Sequence, residues 1–432
     1  MVVEQEVETL LGGYRILDLS DEGGMLCGKI LGDLGADVIQ IEPPGGSPAR
    51  NIGPYYHDIP DPEKSLYWFW TALNKRGITM DIESNDGRDI FKRLVKKAHF
   101  VIESFPPGHM ESLGLGYSEL EKINPGIIMT SITPFGQTGP YAHYKATDIV
   151  GVSMGGMSCI YGEIDRGPVR INAPQFYFQG GVHGALGSIM AHYWRELTGE
   201  GQHVDVSCQQ AVVLSLMIAA EMWDICKMIC TGVGPGMGFM GKRVSQLIYP
   251  TKDGYVLSML GGGAQAGMVT SSKNLTSIAN SDGYLLDLKD FDWSNWDFMS
   301  AAINKALGVE SDGTTIIDQL EKGLNEYFPT KRKQDLFDEA VAKDILLIPV
   351  CDPKDVVESP QLAAREFWVQ VEHPELGETI TYPGYPIKFN GLPSYKPQRR
   401  APLIGEHNEE IYSKELDLTR DQLCLLKGQG VI

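Results

Sequence analysis

Short apolar runs alternate with helix-like periodicity along the first 135 residues of the chain. The runs predict strands at residues 14–19, 37–42, 78–82, 100–105 and 126–133. The periodic stretches predict helices at residues 25–36, 85–98 and 118–125, and Ser118 and Glu121 stand in capping-box spacing in the last of these. Alternating strands and helices favour an open, parallel α/β sheet of Rossmann type.

The pattern changes in the rest of the chain. Helical periodicity covers residues 180–196, and residues 203–229 predict a strand that leads into one long helix. The glycine-rich segment 231–242 predicts a mobile loop, and residues 255–260 predict the first strand of a second unit. Residues 270–330 read as a smaller α+β domain, and the Pro-rich segment 393–407 predicts a linker that crosses back before a helical tail. A chain of 432 residues is long enough for two or three such domains.

The net charge of −19 argues against nucleic acid or an anionic membrane surface as a general partner. No apolar run reaches the roughly 18 residues that a membrane span needs. The opening residues MVVEQEVETL lack the basic and apolar segments of a signal peptide, so we expect none.

Seven scattered cysteines indicate free thiols and a cytoplasmic protein. Cys226 and Cys230 stand four apart in an apolar helical stretch, where core packing is favoured over metal binding.

Few local motifs carry chemistry. In GGGAQAG, Gly261, Gly263 and Ala266 fit the spacing of a dinucleotide loop, although a glycine turn is favoured because no clear helix follows. Asp148 is read as an ion-pair partner of Lys145 rather than a general base. His183 is read as a satisfied core or pocket histidine, and Glu163 and Asp165 as a polar turn; no metal-ligand spacing stands out.

Several segments together resemble the family III CoA-transferases: YRILDLS, LGDLGADVIQIEPP, LNKRGITMDI, FVIESFPPG, the stretch from LGLGYSELEKINP to FGQTGPY, TGEGQHVDVS, IPVCDPKDV and RAPLIGEHNEEI. The resemblance runs nearly end to end and implies an interlocked dimer with active sites at the interface between two chains. It also implies a large Rossmann-like domain at residues 1–205, a helix and glycine-rich linker at 206–245, and a small α+β domain at 246–375. A linker and C-terminal return to the large domain would occupy residues 376–432.

The resemblance implies a nucleophilic aspartate, which attacks the acyl-CoA thioester and becomes the acyl carrier. Counted back from TGEGQ, this position falls on Tyr177, or on Phe176 with a one-residue shift. Neither side chain suits that role, and INAPQFYFQGG at residues 171–181 holds no carboxylate. The racemase branch of the family is also excluded, because its histidine base would align with Thr147.

The CoA site implied by the resemblance is eroded. Pro43, Glu83 and Ser112 occupy positions where the family carries basic residues. The resemblance also implies a glutamine near the exit of the first strand. That glutamine is absent, because the SDEGG segment is one residue short there. Losing a charge-assisted phosphate contact costs roughly 1–3 kcal/mol. What is left is a vestigial CoA site, expected at the residues Met80, Ser104, Phe105 and Lys145.

The expected function is therefore that of a non-catalytic subunit in a heteromeric CoA-transferase. The arrangement is similar to succinyl-CoA:(R)-benzylsuccinate CoA-transferase, so succinyl-CoA and (R)-benzylsuccinate are candidate substrates and CoA thioesters the substrate class. The expected partner is a homologous catalytic subunit, in a heterodimer or heterotetramer, with no covalently bound cofactor. Two alternatives stay open: an active homodimer that uses Asp148 or Glu163, and a nucleotide-binding regulatory protein. The aromatic residues Phe176, Tyr177 and Phe178 fill the vacated volume or line the partner's pocket.

Overall fold

The computed structural model describes residues 9–239, 242–392 and 395–432. Most of the opening segment MVVEQEVETL lies outside these ranges, as do parts of the predicted loop at 231–242 and of the predicted linker at 393–407. Within the described ranges, no helix combines the length and apolar character that a membrane crossing requires.

Parallel strands form the main sheet of the protein. In chain order, the strands of the described residues, in all sheets, are β1 (Arg15–Asp18), β2 (Asp37–Glu42), β3 (Lys75–Thr79), β4 (Phe100–Glu103), β5 (Ile128–Thr133), β6 (His203–Ser207), β7 (Gly236–Phe239), β8 (Lys242–Gln246), β9 (Ile248–Thr251), β10 (Gly254–Ser258), β11 (Leu347–Val350), β12 (Trp368–His373) and β13 (Glu378–Pro383). The first six pair in the order β3-β2-β1-β4-β5-β6, which confirms the predicted parallel α/β class. The strand order reverses between β1 and β4, so a crevice is expected outside the carboxyl ends of these two strands.

Helices connect and cover the strands. They are α1 (Met25–Asp33), α2 (Leu66–Thr71), α3 (Asn85–Val95), α4 (His109–Ser112), α5 (Tyr117–Ile123), α6 (Asp148–Met154), α7 (Met157–Ile160), α8 (Phe176–Thr198), α9 (Cys208–Leu214), α10 (Ala219–Cys226), α11 (Ala266–Ser281), α12 (Phe298–Leu307), α13 (Asp312–Tyr327), α14 (Lys333–Ala342), α15 (Pro353–Val357), α16 (Pro360–Ala364) and α17 (Arg420–Gly428). α8 connects β5 to β6, and because those strands are parallel it begins at the carboxyl edge of the sheet.

The chain divides into two compact units. The first runs up to Gly155 and includes Asn172–Ser215 and Pro360–Ile432, and it holds the parallel sheet and the β12–β13 hairpin. The second consists of Gly156–Ile171 and Leu216–Ser359, and it holds the antiparallel sheet β11-β10-β9. Tyr249, Val256, Leu275, Leu324 and Phe328 are among the residues of its core. The four-part domain division made from the sequence stays a prediction.

A buried charge cluster lies among the three neighbouring strands β1, β2 and β3. Lys75 Nζ is 2.7 Å from Asp18 Oδ2, and both side chains are fully buried. The same ammonium donates to Gln40 Oε1 at 2.9 Å and to the Met25 carbonyl at 2.9 Å. A buried charge is tolerated only when it is paired and hydrogen-bonded, so these contacts explain how a lysine can begin a buried strand.

Residues near the C-terminus cover the free edge of β3. The Gly77 N–H donates to His407 Nδ1 at 3.2 Å, and the His407 N–H donates to the Gly77 carbonyl at 2.9 Å. The Thr79 N–H donates to Asn408 Oδ1 at 2.9 Å. Backbone groups that an edge strand would leave unpaired are therefore satisfied.

Several predicted elements are wrong in detail. The segment 231–242, predicted as a mobile loop, holds the strand β7, which pairs antiparallel with β8. The third strand is β3 rather than residues 78–82, because Lys75 and Arg76 are paired charges that hide it from an apolar pattern. α5 begins directly after Gly116 and has no side-chain cap, so the Ser118 capping box is absent. The single long helix predicted after β6 is broken between α9 and α10, where Met217 adopts a left-handed φ of 53°.

Candidate functional site

One serine joins the loops that follow β1 and β4 at the carboxyl edge of the sheet. The Asp21 N–H donates to Ser104 Oγ at 3.0 Å, and the Ser104 hydroxyl donates to Asp21 Oδ1 at 2.9 Å. The loop after β1 and the loop after β4 are thereby held together across the point where the strand order reverses. Ser104 thus acts as a brace at this edge.

The aromatic triplet forms the first three residues of α8, and its first member is fully buried. Phe176 is 0% exposed, and its ring lies 6.5 Å from that of Phe135 between centroids. A Cβ placed on Gly151 would lie 2.2 Å from the Phe176 ring, so the helix α6 approaches this ring as closely as a glycine permits. Phe176 therefore fills the interior at the start of α8.

The other two members of the triplet have different surroundings. The Tyr177 hydroxyl donates to the Ala146 carbonyl at 2.7 Å. Burial, followed by the nearby Cys208 and Glu22, raises the pKa of Tyr177, so its phenol stays protonated at neutral pH. Phe178 is 40% exposed and stacks on Trp70 with the ring centroids 6.0 Å apart. A protonated phenol bonded to a carbonyl is a weak nucleophile.

Asp148 meets the start of α8 through its side chain. Its Oδ1 accepts from the N–H of Gln175 at 2.7 Å and from the N–H of Phe176 at 2.9 Å. These N–H groups belong to the first turn of a helix, where a carboxylate is stabilising. The other oxygen, Oδ2, is buried and has no hydrogen-bond partner within the described chain.

The predicted ion pair between Asp148 and Lys145 is wrong. Lys145 is exposed, and the carboxylate of Asp148 receives backbone N–H groups from the beginning of α8. The two residues are only three apart in sequence, whereas the actual partners lie 27 and 28 residues further on.

Glu22 is a second carboxylate near the start of α8, and sequence reasoning missed it. Burial, then Asp21 and Asp148, raise the pKa of Glu22. The phenols of Tyr67 and Tyr177 are in turn affected by Glu22, which raises the pKa of both after burial has done so. Carboxylates and neutral phenols thus converge at this edge, and the charge of the carboxylates makes it a poor place for a further negative charge. The only sequence signal was the acidic pair in SDEGG.

Glu103, at the end of β4, is a third carboxyl that sequence reasoning missed. Burial raises the pKa of Glu103 to about 7, even though hydrogen bonds from Ser131 and the Phe105 N–H oppose the rise. The Phe105 N–H donates to Glu103 Oε2 at 2.6 Å. A carboxyl with this pKa is partly protonated at neutral pH and holds the backbone that carries Phe105.

Comparison with known proteins identifies the family. Residues 11–408 match the family described as CoA-transferase family III. The protein belongs to CoA-transferase family III. The chain is 33% identical over 398 residues to succinyl-CoA:(R)-benzylsuccinate CoA-transferase subunit BbsE of Thauera aromatica, with 92% of each chain covered. It is 32% identical over 435 residues to formyl-CoA:oxalate CoA-transferase of Streptomyces coelicolor, covering 98% of this chain and 99% of the relative.

A solved structure agrees with this assignment. A CAIB/BAIF family protein from Brucella suis superposes with a TM-score of 0.75 at 27% identity, covering 94% of this chain and 99% of that chain. The resemblance inferred from the sequence segments is therefore confirmed, and CoA thioesters are substrates of the family.

The residues of the expected vestigial CoA site are only partly brought together. Met80 is buried in the main core, and Phe105 packs against the same core while half-buried. Ser104 adjoins Phe105 but is engaged with Asp21. Lys145 is exposed on a later loop. The assignment of CoA contacts to these residues stays a prediction.

The positions where the resemblance implies basic residues have neutral or acidic surroundings in the structure. Glu83 Oε1 lies 3.2 Å from His109 Nε2, and the Ser112 hydroxyl donates to the His109 carbonyl at 2.7 Å. Pro43 is exposed just after β2. His109 is also in ring contact with Phe105, at 4.7 Å between centroids. Glu83 thus contacts the same histidine whose ring contacts Phe105, and its negative charge would oppose the binding of a phosphate group beside that histidine.

The remaining single-residue candidates have ordinary environments. His183 Nδ1 lies 2.9 Å from the Gln179 carbonyl within α8, a local helix contact. Glu163 is exposed in a turn closed by the Arg166 N–H at 3.3 Å. The core packing predicted for Cys226 is wrong, because this residue is exposed; it ends α10, so Cys230 lies beyond that helix. Among the described residues, no group of three or more His, Cys, Asp or Glu could hold a metal ion.

The glycine run GGGAQAG packs against a tryptophan turn in the second unit. The Gly261 N–H donates to Ser272 Oγ at 2.9 Å, and a Cβ on Gly262 would lie 2.5 Å from the Trp293 carbonyl oxygen and 2.6 Å from that of Trp296. A helix does follow the run, since α11 begins at Ala266. The preceding strand β10, however, pairs antiparallel with both of its neighbours, unlike the strand of a dinucleotide-binding unit. Close packing explains the glycines without a ligand.

Proposed function

We propose that this protein is the non-catalytic subunit of a heteromeric family III CoA-transferase. The complex would move CoA from an acyl-CoA such as succinyl-CoA to an organic acid, with (R)-benzylsuccinate as one candidate acceptor. The observation that carries the proposal is the state of Phe176 and Tyr177. A fully buried ring and a protonated, carbonyl-bonded phenol occupy the place where the family resemblance expects an aspartate.

The acyl transfer needs a carboxylate that can become an anhydride and then leave. Asp148 does not supply one freely, because its Oδ1 already accepts two N–H groups of α8. Converting that carboxylate to an acyl anhydride would weaken both hydrogen bonds. It would also remove the negative charge that stabilises the start of α8. The nucleophile of the complex is therefore assigned to the partner chain.

An apolar stripe along α8 supports the requirement for a partner. Its members recur at helical spacing on one face and are between 38% and 68% exposed: Val182, Leu186, Met190, Tyr193 and Leu197. A soluble chain rarely leaves so many large apolar side chains uncovered along one helix unless another protein covers them. In our proposal a homologous catalytic subunit covers this stripe in an interlocked heterodimer or heterotetramer in the cytoplasm.

The similarity to BbsE supports the same arrangement, since that relative is named as one subunit of a succinyl-CoA:(R)-benzylsuccinate CoA-transferase. CoA would act only as a substrate of the complex, with no cofactor bound covalently to this chain. The negatively charged surroundings of Glu22 and Asp148 would then help to shape the acid-binding pocket of the partner subunit and would take no part in catalysis.

The test compares the chain expressed alone with the chain co-expressed with an aspartate-bearing homologue. Native mass spectrometry gives the assembly, and CoA transfer from succinyl-CoA to a panel of organic acids gives the activity. We expect a mixed complex and activity only in the co-expressed sample. Activity from this chain alone, or an acyl or CoA adduct on it in intact-mass spectra, would contradict the proposal.

Matched variants separate the alternative of a relocated nucleophile in this chain. Glu163→Gln and Asp148→Asn, each checked for folding by circular dichroism, are assayed in the complex beside an aspartate-to-alanine variant of the partner. The partner variant is expected to abolish activity, whereas Glu163→Gln leaves it unchanged and Asp148→Asn lowers it no more than its folded fraction falls. Loss of turnover in fully folded Asp148→Asn would instead favour an active transferase that uses this acid.

A further inference from the structure

A cavity lies at the amino edge of the parallel sheet, whereas the candidate site lies at the carboxyl edge. It has a volume of about 430 Å³ and is lined by residues that precede β1, β4 and β5 and by the ends of two helices. Its ionisable and aromatic lining residues are Tyr14, Lys96, Lys97, His99, Arg195 and Glu196. Parallel strands bring their amino ends together, which explains why residues so distant in sequence share this cavity.

Arg195, in the last turn of α8, is the central cation of this cavity. Its Nη1 donates to the carbonyls of His99 at 2.9 Å and Gly126 at 3.0 Å, and its Nη2 donates to His192 Nδ1 at 2.9 Å. These acceptors fix the guanidinium plane but carry no full negative charge. Among the ion pairs of the described residues, none joins Arg195 to a carboxylate within 4 Å, and burial lowers the pKa of Arg195. A half-buried guanidinium is thus left without a close counter-ion.

His99 also lines this cavity, and its ring has a hydrogen-bond donor. The Arg15 N–H donates to His99 Nδ1 at 3.0 Å, so the neutral ring carries its proton on Nε2. Burial, followed by Arg195 and Arg15, lowers the pKa of His99, which keeps the ring neutral at neutral pH. A neutral imidazole N–H beside a guanidinium is a pair of donors suited to an oxyanion.

Charge at the mouth of the cavity favours a dianion. Lys97 is anchored through its Nζ to the Glu415 carbonyl at 2.8 Å, and Lys96 is exposed. Glu196 is the carboxylate of the lining and lies 3.5 Å from His192 Nδ1. With Arg195, Lys96 and Lys97 against Glu196, the cavity carries a formal charge of about +2, which matches a phosphate monoester at neutral pH.

We propose that this cavity binds a phosphoryl group, with Arg195 as the main charge contact and Lys96 as a second contact at the mouth. The ligand is inorganic phosphate or a small phosphate monoester, since the volume accommodates a phosphoryl group with a short organic body. The site is separate from CoA transfer and holds whether or not the subunit is catalytic. A positively charged cavity is unusual in this protein, because the chain as a whole carries a net charge of −19.

The test is isothermal titration calorimetry of the full chain with inorganic phosphate and with glycerol phosphate, at constant ionic strength set by chloride. We expect saturable binding of at least one of the two, and the stronger ligand distinguishes free phosphate from a monoester. Arg195→Gln is expected to weaken binding about tenfold or more, and Lys96→Ala about three- to fivefold. Lys122→Ala is the matched control, since Lys122 is exposed, lies 2.6 Å from Glu119 as an ion pair, and is not one of the residues that line the cavity.

Lys96→Ala guards against a folding artefact, because Lys96 is exposed whereas Arg195 also braces backbone carbonyls. Retention of full affinity in both variants would overturn the site, as would equal weakening by Lys122→Ala. Absence of saturable binding of either ligand to the wild-type chain would also overturn it, and Arg195 would then be a structural brace only.

Discussion

Replacing Glu103 with glutamine is expected to change how the stability of the protein depends on pH. Burial raises the pKa of Glu103 from an ordinary value of 4.5 to about 7. Glutamine has the same shape and can still accept the Phe105 N–H, which Glu103 receives at 2.6 Å. Its amide can also donate to Ser131, so the variant keeps the local hydrogen bonds and loses only the ionisation.

The sign follows from proton binding in the two states. Between pH 4.5 and about 7 the folded protein holds a proton on Glu103 that the unfolded chain has already lost. The contribution of Glu103 to the free energy of unfolding of the wild type therefore falls as the pH rises through this window and levels off above it. A shift of this size corresponds to roughly 3 kcal/mol, since one pKa unit is about 1.4 kcal/mol. Glu103→Gln removes this loss, so the variant gains relative to the wild type as the pH rises.

The assay is urea denaturation at intervals from pH 4 to pH 8, followed by tryptophan fluorescence and circular dichroism to check that the two transitions coincide. The quantity of interest is the difference in unfolding free energy between variant and wild type at each pH, because it cancels the contributions of other titrating groups. Glu111→Gln is the control, since it deletes an exposed carboxylate nearby. A constant difference for Glu103→Gln across this range would refute the reasoning, because it would mean that folding leaves the pKa of Glu103 unchanged.

Two further substitutions test packing and buried charge. Gly151→Ala is expected to destabilise the protein by about 1–3 kcal/mol because its Cβ would lie 2.2 Å from the Phe176 ring, whereas Gly267→Ala meets nothing within 4 Å and is expected to be neutral or stabilising. Their melting temperatures decide this, and equal shifts would contradict the predicted clash. Lys75→Met is expected to cost about 3–5 kcal/mol, since it leaves Asp18 buried without its cation. Urea unfolding should show part of that cost recovered when Asp18→Leu is added, and an additive double variant would argue against the pairing.

The parallel sheet could be predicted from sequence because β2, β4 and β5 each carry three apolar side chains in a short run that alternates with helical periodicity. β3 was misplaced for the opposite reason. Its first residues, Lys75 and Arg76, are charged, and their partners Asp18 and Asp37 come from strands 57 and 39 residues away. No local pattern carries that information.

That the nucleophile is missing stays a prediction, and it could be predicted from sequence because it depends only on which residue types stand at one position. The electrostatic features around it could not. The capping contact of Asp148 with the start of α8 and the raised pKa of Glu103 both depend on burial created by the tertiary fold. The break before α10 is similar, since nothing in the helical periodicity of residues 208–226 marks Met217 as left-handed.

The cover over the edge of β3 has a consequence for how the chain is synthesised. Gly77 and the histidine that receives its N–H lie 330 residues apart. At a translation rate of about 5–20 residues per second, the ribosome needs on the order of tens of seconds to produce the covering segment after the strand has emerged. Throughout that interval the nascent chain carries an open strand edge that can pair with a neighbouring molecule. A chain released before residue 407 would keep that edge permanently, so premature termination should yield aggregates rather than a shorter soluble protein.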